Sequence, residues 1–252
     1  KSGMEEIKTI TFLNYSATGF RLGACLFVFK LAVFDYLGGD AKALSIVAFF
    51  VILGRFLNII AEVPTGAIGD HLGRKKTVVL ALCLFSLSSA LNTFIFFIPE
   101  KSIFVIVAGL ATIIVSLATA FDSGTFYAWL VDSVRNENIP EGHGPITARA
   151  NKYLVVSKLF GTVIAIFLYL NGFVYFAFAF VSVFEAMCAL YCGIVMKETE
   201  GMKFYKGQLF IRESIVRMKE IIGVGFSVCL KNPFIKYMII VKSLSRGMIF
   251  SI

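Results

Sequence analysis

Five ionisable side chains stand inside long apolar runs: Arg21, Arg55, Asp122, Lys158 and Glu185. Counting from the ends of those runs puts each near mid-depth. A lone charge at a bilayer centre costs about 3 kcal/mol on insertion scales, so such residues pair with one another or face a wet path. Three bases against two acids leave an excess of positive charge, which brings anionic and zwitterionic solutes into consideration. A carboxylate in a low-dielectric site can cycle between its charged and neutral forms. That makes Asp122 the candidate proton carrier, the alternative being a fixed salt bridge to Arg21 or Lys158. Glu185 is either part of the same path or a structural pair to a neighbouring helix. Lys30 and Asp35 fall near one end of the first run, where Lys can snorkel to the interface.

These charges need elements that hold them at depth. A membrane helix takes about 20 mostly apolar residues. Six stretches qualify in succession: Ile10–Tyr36, Ala43–Pro64, Thr77–Ile98, Ser102–Val131, Thr147–Leu170 and Phe173–Met196. A seventh begins near Pro233 and runs to Ile252. Connections such as Pro99-Glu100-Lys101 and Asn171-Gly172 are short, which makes successive helices antiparallel neighbours. The expected fold is therefore all-α, a polytopic membrane bundle. The alternating 10-residue strands of a membrane barrel are not in evidence. Three regions follow: a six-helix bundle over 1–200, an amphipathic linker over 201–232, and the start of a seventh helix over 233–252. Ile211, Ile215, Met218 and Ile222 recur at helical spacing in the linker, which fits a helix lying along a membrane surface. Gly161, Ala165, Gly109 and Ala118 read as close-packing positions between spans.

Composition agrees. The chain has 252 residues, 58% hydrophobic and 16% charged, and 27 of them are Phe. An ordinary soluble domain is about a quarter charged. Disorder is excluded by apolarity, and a disulfide scaffold by size and by only five Cys. The formal charge of +8 is distributed unevenly. Arg74, Lys75, Lys76, Arg135, Arg149 and Lys152 fall on one side, as do Lys197, Lys203, Lys206, Arg212, Arg217, Lys219 and Lys231. Lys42 and Lys101 fall on the other. Basic residues favour the cytoplasmic face, so the N-terminus is expected there. This one-sided spread along a membrane face argues against nucleic acid as a partner. With 27 Phe, aromatics such as Phe20, Phe126, Tyr127 and Trp129 more often pack or face lipid than touch a solute.

The loop between the second and third spans reads Gly66-Ala67-Ile68-Gly69-Asp70-His71-Leu72-Gly73-Arg74-Lys75-Lys76, preceded by Glu62-Val63-Pro64-Thr65. Gly66 and Gly73 permit close approach and a tight turn. Asp70 and Arg74, four apart and oppositely charged, can pair across a helical turn. The fourth span carries Ser123-Gly124, Ala128, Asp132 and Ser133, with Asp132 at the same end of the bundle. The alternative reading of the loop is a plain topological anchor of positive charge. The spacing of Gly66, Asp70, Gly73, Arg74 and Lys75 resembles the signature loop of the major facilitator superfamily of secondary transporters. His71 departs from it, since a basic residue is usual there. The helix-two and helix-four patterns resemble one branch of that family. The resemblance spans residues 10–252.

The resemblance implies a fold and a mechanism. Six helices would form one half of an alternating-access transporter, with a second six-helix half beyond Ile252. Asp70, Arg74 and Asp132 would form a charge cluster that latches the outward-facing state. Helices one, two, four and five would line the cavity, which favours Arg21, Arg55, Asp122 and Lys158 over Glu185. The expected activity is proton-coupled efflux of drugs or metabolites. The alternatives are uptake of a sugar or organic anion, or a receptor or scaffold that does not transport. The expected partners are a small-molecule substrate, protons and the lipid bilayer, and the expected location is a bacterial plasma membrane. No P-loop, zinc or haem ligand set, or nucleophile–base constellation stands out, so no cofactor, no metal and no enzymatic role is expected.

Overall fold

The computed structural model describes residues 2–198, together with Asn232, Pro233, Phe234, Tyr237 and Val241. The chain divides into two compact units, Lys1–Lys203 and Phe204–Ile252, and the architecture below is that of the first. The linker expected over 201–232 and the seventh span expected from Pro233 lie outside the described residues, apart from those five positions. Among the described residues the protein is helical and has no strand.

Five helices among the described residues are long and apolar enough to cross a membrane: Ala41–Glu62, Arg74–Phe97, Lys101–Asn136, His143–Leu170 and Val174–Val195. They coincide with the second to sixth expected spans. The first expected span is helical but is not among those five. It is built end to end from α1 (Ser2–Gly23), a π-helical turn (Ala24–Val28) and α2 (Phe29–Leu37). The remaining elements are α3 (Ala41–Leu72), α4 (Arg74–Phe94) with a closing 3-10 turn (Ile95–Phe97), α5 (Lys101–Asp122), α6 (Thr125–Asn136), α7 (His143–Leu170) and α8 (Val174–Val195).

Local chemistry sets the breaks. Asp40 caps α3 by accepting the Ala43 N–H at 2.8 Å. Gly73 alone separates α3 from α4, at φ +95°, a backbone that a Cβ disfavours. The fourth expected span, Ser102–Val131, is broken at Ser123-Gly124 into α5 and α6, with Gly124 at φ +79°. Pro64 sits inside α3 and cannot donate to its helical acceptor. One turn of this helix instead gains a side-chain tie to its neighbour. The Thr65 hydroxyl lies 2.7 Å from the Ala61 carbonyl oxygen and 3.0 Å from that of Ala120 on α5.

Packing pairs the rods in a definite scheme. Taking α1 with α2 as the first rod and α5 with α6 as the fourth, rod one lies on five, two on four and three on six. Rod three also meets four, and one meets six. Exchanging one with four, two with five and three with six returns the same set of pairs. α1 and α7 approach closely. A Cβ added at Gly19 would stand 2.5 Å from the Leu154 carbonyl oxygen, and one at Gly161 2.9 Å from that of Phe20. One at Gly23 would overlap the Lys158 carbonyl. Gly19-x-x-x-Gly23 thus meets Ser157-x-x-x-Gly161, a small-residue contact of the kind that joins helices in lipid. Between α4 and α8, Ser86 and Ser182 each donate to the other's carbonyl at 2.9 Å.

Large apolar side chains cover much of the outside, with Ile106 70% and Leu190 67% exposed. Such a surface is compatible with an integral membrane protein. At one end Trp129 is buried and donates its indole N–H to the Lys197 carbonyl at 2.9 Å. At the other end Tyr36 donates to the Ile98 carbonyl and stacks on Phe104 with ring centroids 4.3 Å apart.

Candidate functional site

A cavity of about 440 Å³ opens within the bundle, walled by α1, the π-helical turn, α2, α3, α4 and α5. Arg21, Lys30, Arg55 and Asp122 line it, with Asn58 from α3 and Ser88, Ser89 and Asn92 from α4. Phe29, Phe50 and Val115 supply apolar wall. A mostly apolar hollow with a few convergent polar groups is the usual form of a small-molecule site. Two helix irregularities border it. Cys25 lies in the π-helical turn, and Asp122 is the last residue of α5 before the break. Single π turns recur at functional sites, and broken membrane helices recur at transporter binding sites.

Arg21 is held from two sides. Its Nε lies 2.9 Å from Glu185 Oε1 on α8, although the N–H is not aligned as a hydrogen bond. Its guanidinium carbon lies 3.4 Å above the Phe85 ring centroid on α4. Ser89, also on α4, donates its hydroxyl to Glu185 Oε2 at 3.1 Å. The Glu185 side chain is 1% exposed. This arrangement ties three rods together and satisfies a carboxylate that is costly to bury alone. Asp122 has no such lock. Its Oδ1 is buried without a hydrogen-bond partner, as is Asn92 Oδ1. Arg21 lies within electrostatic reach of Asp122, and Arg55 within reach of Lys30. The cavity thus brings three cations and a carboxylate together.

Of the expected mid-depth residues, Arg21, Arg55 and Asp122 meet at the cavity and Glu185 stands behind it through Arg21. Lys158 does not line it. Its side chain is exposed, because the Lys158 carbonyl abuts Gly23 and the backbone of α7 is turned toward α1. Helix five therefore gives nothing to this cavity, and helix three, expected further out, gives three polar residues. Lys30, expected to snorkel outward, lines the cavity instead. Those three polar residues of helix three were not expected; the signal for them is Ser88-Ser89-x-x-Asn92, a polar cluster on one face of an apolar run. The Arg21–Phe85 contact left no such signal.

The loop and helix-four residues also come together, at the opposite end of α3 from Asp40. Arg74 forms an ion pair with Asp132 and donates to the Ala128 carbonyl at 2.7 Å. Ser123 donates to Glu62 Oε1 at 2.9 Å. Asp70 lies in the last turn of α3 and Arg74 opens α4, so the two do not share one helical turn; the Asp70 side chain lies outside the described ones. A Cβ at Gly66 would meet nothing within 4 Å, so close approach does not explain that glycine here. At Gly73 a Cβ would stand 2.7 Å from the Glu198 carboxylate. That carboxylate accepts the Lys75 N–H at 3.1 Å, next to the positive end of α4. Glu198 was not expected, since only the fold brings the end of α8 to this loop. Lys197 beside it lies 3.5 Å from Glu137 and 3.9 Å from Glu6.

Comparison with protein-family models, with curated proteins and with solved structures returns no match.

Proposed function

We propose that this bundle is one half of a major-facilitator-type secondary transporter, moving a small solute by alternating access about the cavity. The observation that carries the reading is the charged cavity itself. A bundle that only anchored or scaffolded would have a dry, filled centre, because each charge left there is costly. The pairing scheme adds support. Its invariance under exchange of the first three rods with the last three is what a 3+3 repeat, the building plan of these half-transporters, produces. The contact of the helix-two loop with helix four adds further support: the Arg74–Asp132 ion pair is the latch of this reading, at the end it takes as cytoplasmic. Gly66, open here, would lie against the second bundle. Asp122 is the proton carrier, its Oδ1 available for a proton that a fixed salt bridge would exclude. The direction inferred from the resemblance is efflux.

The test is reconstitution of the full chain in vesicles with an imposed pH gradient, using ethidium, a disaccharide and a dicarboxylate as probes. The reading expects gradient-dependent movement of one probe class, with Asp122→Asn losing gradient-driven accumulation while keeping exchange. Coupling that survives in Asp122→Asn makes that residue structural. A protein that moves none of the probes and shows no proton flux contradicts the transporter reading.

A further inference from the structure

A second cavity, about 320 Å³, lies between the first turns of α1 and α7, at the end of the bundle where the basic residues gather. Lys8 from α1 and Arg149 from α7 line it. So do Phe12 and Tyr153, whose rings meet edge to face with centroids 4.6 Å apart. Glu141 is the acidic group nearby, and it is loosely placed: its Oε2 is 3.9 Å from both Lys8 Nζ and Arg149 Nη2. Ion pairs this long and this exposed are weak. The two cations and one acid leave a single net positive charge, which suits a phosphodiester.

What lies beyond the cavity narrows the ligand. Arg149, Tyr153, Val156, Phe160 and Val163 follow one another on a single face of α7, at spacings of three and four. The last three are all exposed, by 48%, 60% and 66%. A cation, an interfacial aromatic ring and then an apolar track match, in order, a phosphate headgroup, the glycerol level and an acyl chain. Basic pockets between membrane helices on the cytoplasmic side bind anionic headgroups, aided by the negative surface potential of that leaflet. Free phosphate would have no use for the apolar track.

We infer that the α1–α7 cavity binds the phosphodiester headgroup of an anionic membrane lipid, with Lys8 and Arg149 as its cationic contacts. The inference requires the helices to sit in a bilayer and does not depend on transport.

The experiment places the purified full chain in nanodiscs of mixed phosphatidylglycerol and phosphatidylcholine and measures by native mass spectrometry which lipid is retained. The parent should retain phosphatidylglycerol preferentially. Lys8→Gln/Arg149→Gln should lower that retention about 30-fold, while Lys76→Gln/Arg135→Gln, equal in charge and on the same face, should leave it within about twofold. Glu141→Gln, which removes the competing acid and keeps both cations, should raise retention; it reports even if the double variant folds poorly. The inference is overturned if Glu141→Gln leaves retention unchanged or if both double variants lose it equally. It is also overturned if inorganic phosphate displaces the lipid, which would make the site one for free phosphate.

Discussion

Removing Glu185 alone should destabilise the bundle more than removing Glu185 and Arg21 together. The carboxylate is 1% exposed and the guanidinium side chain 10%, with Nε and Oε1 2.9 Å apart. Breaking a buried ion pair from one side costs about 3–5 kcal/mol, whereas replacing both partners by apolar groups is often neutral. The two single variants should differ. In Glu185→Leu the guanidinium keeps the Phe85 ring, 3.4 Å below it, a contact worth up to about 2 kcal/mol when desolvated. Its loss should therefore lie near about 3 kcal/mol. In Arg21→Met the carboxylate keeps only the Ser89 hydroxyl at 3.1 Å, so the loss should approach about 5 kcal/mol. For a unit of this size, about 2–4 °C of melting temperature accompanies each kcal/mol. Glu185→Leu should then melt roughly 6–12 °C below the parent, Arg21→Met lower still, and Arg21→Met/Glu185→Leu within about 4 °C of it. Thermal unfolding in detergent, arranged as a double-mutant cycle, measures the coupling. A double variant that loses the sum of the single losses, or a Glu185→Leu variant that melts like the parent, refutes the assignment of this pair as the tie among α1, α4 and α8.

Two further outcomes follow from the helix contacts. Asp132→Asn removes the charged partner of Arg74, and a charge-assisted hydrogen bond is worth about 1.5–3 kcal/mol. The ratio of latched to unlatched states should fall about tenfold or more, slowing cycling while insertion stays intact; Asp70→Asn should also impair cycling, and normal transport by either variant removes that residue from the latch. Gly23→Ala places a methyl group against the Lys158 carbonyl and should cost about 1–3 kcal/mol by overpacking. Gly66→Ala, where a Cβ meets nothing within this bundle, should by contrast not destabilise the bundle, since Ala is the better helix former by about 1 kcal/mol.

The second to sixth helices were legible because length and apolarity are read directly from the sequence. The place of each charge along its helix was legible for the same reason, since it is counted from the ends of the run. Which charges meet was not legible. Arg21 finds Glu185 because α8 packs against both α1 and α4, and the rotation of each helix about its own axis decides which face it offers. That rotation also turns Lys158 away, because the glycines of α1 draw the backbone of α7 onto them. The break at Ser123-Gly124 hides in an apolar run that reads as continuous over Ser102–Val131. The loop motif and the helix-four pattern were each readable alone. Their meeting through Arg74, Asp132, Glu62 and Ser123 is a property of the packed bundle.

The most direct test of the central claim is sidedness of access to the cavity. Thr112, which lines it, is replaced by Cys in the full chain after its five native cysteines are changed to Ala. A membrane-impermeant thiol reagent is then applied from each face in turn. The account predicts that Thr112→Cys reacts from the outer face, that adding Asp132→Asn moves reactivity toward the cytoplasmic face, and that Leu190→Cys on the apolar outer surface reacts from neither. A Thr112→Cys variant that reacts from neither face, or from one face regardless of Asp132, contradicts an alternating-access cavity in this bundle.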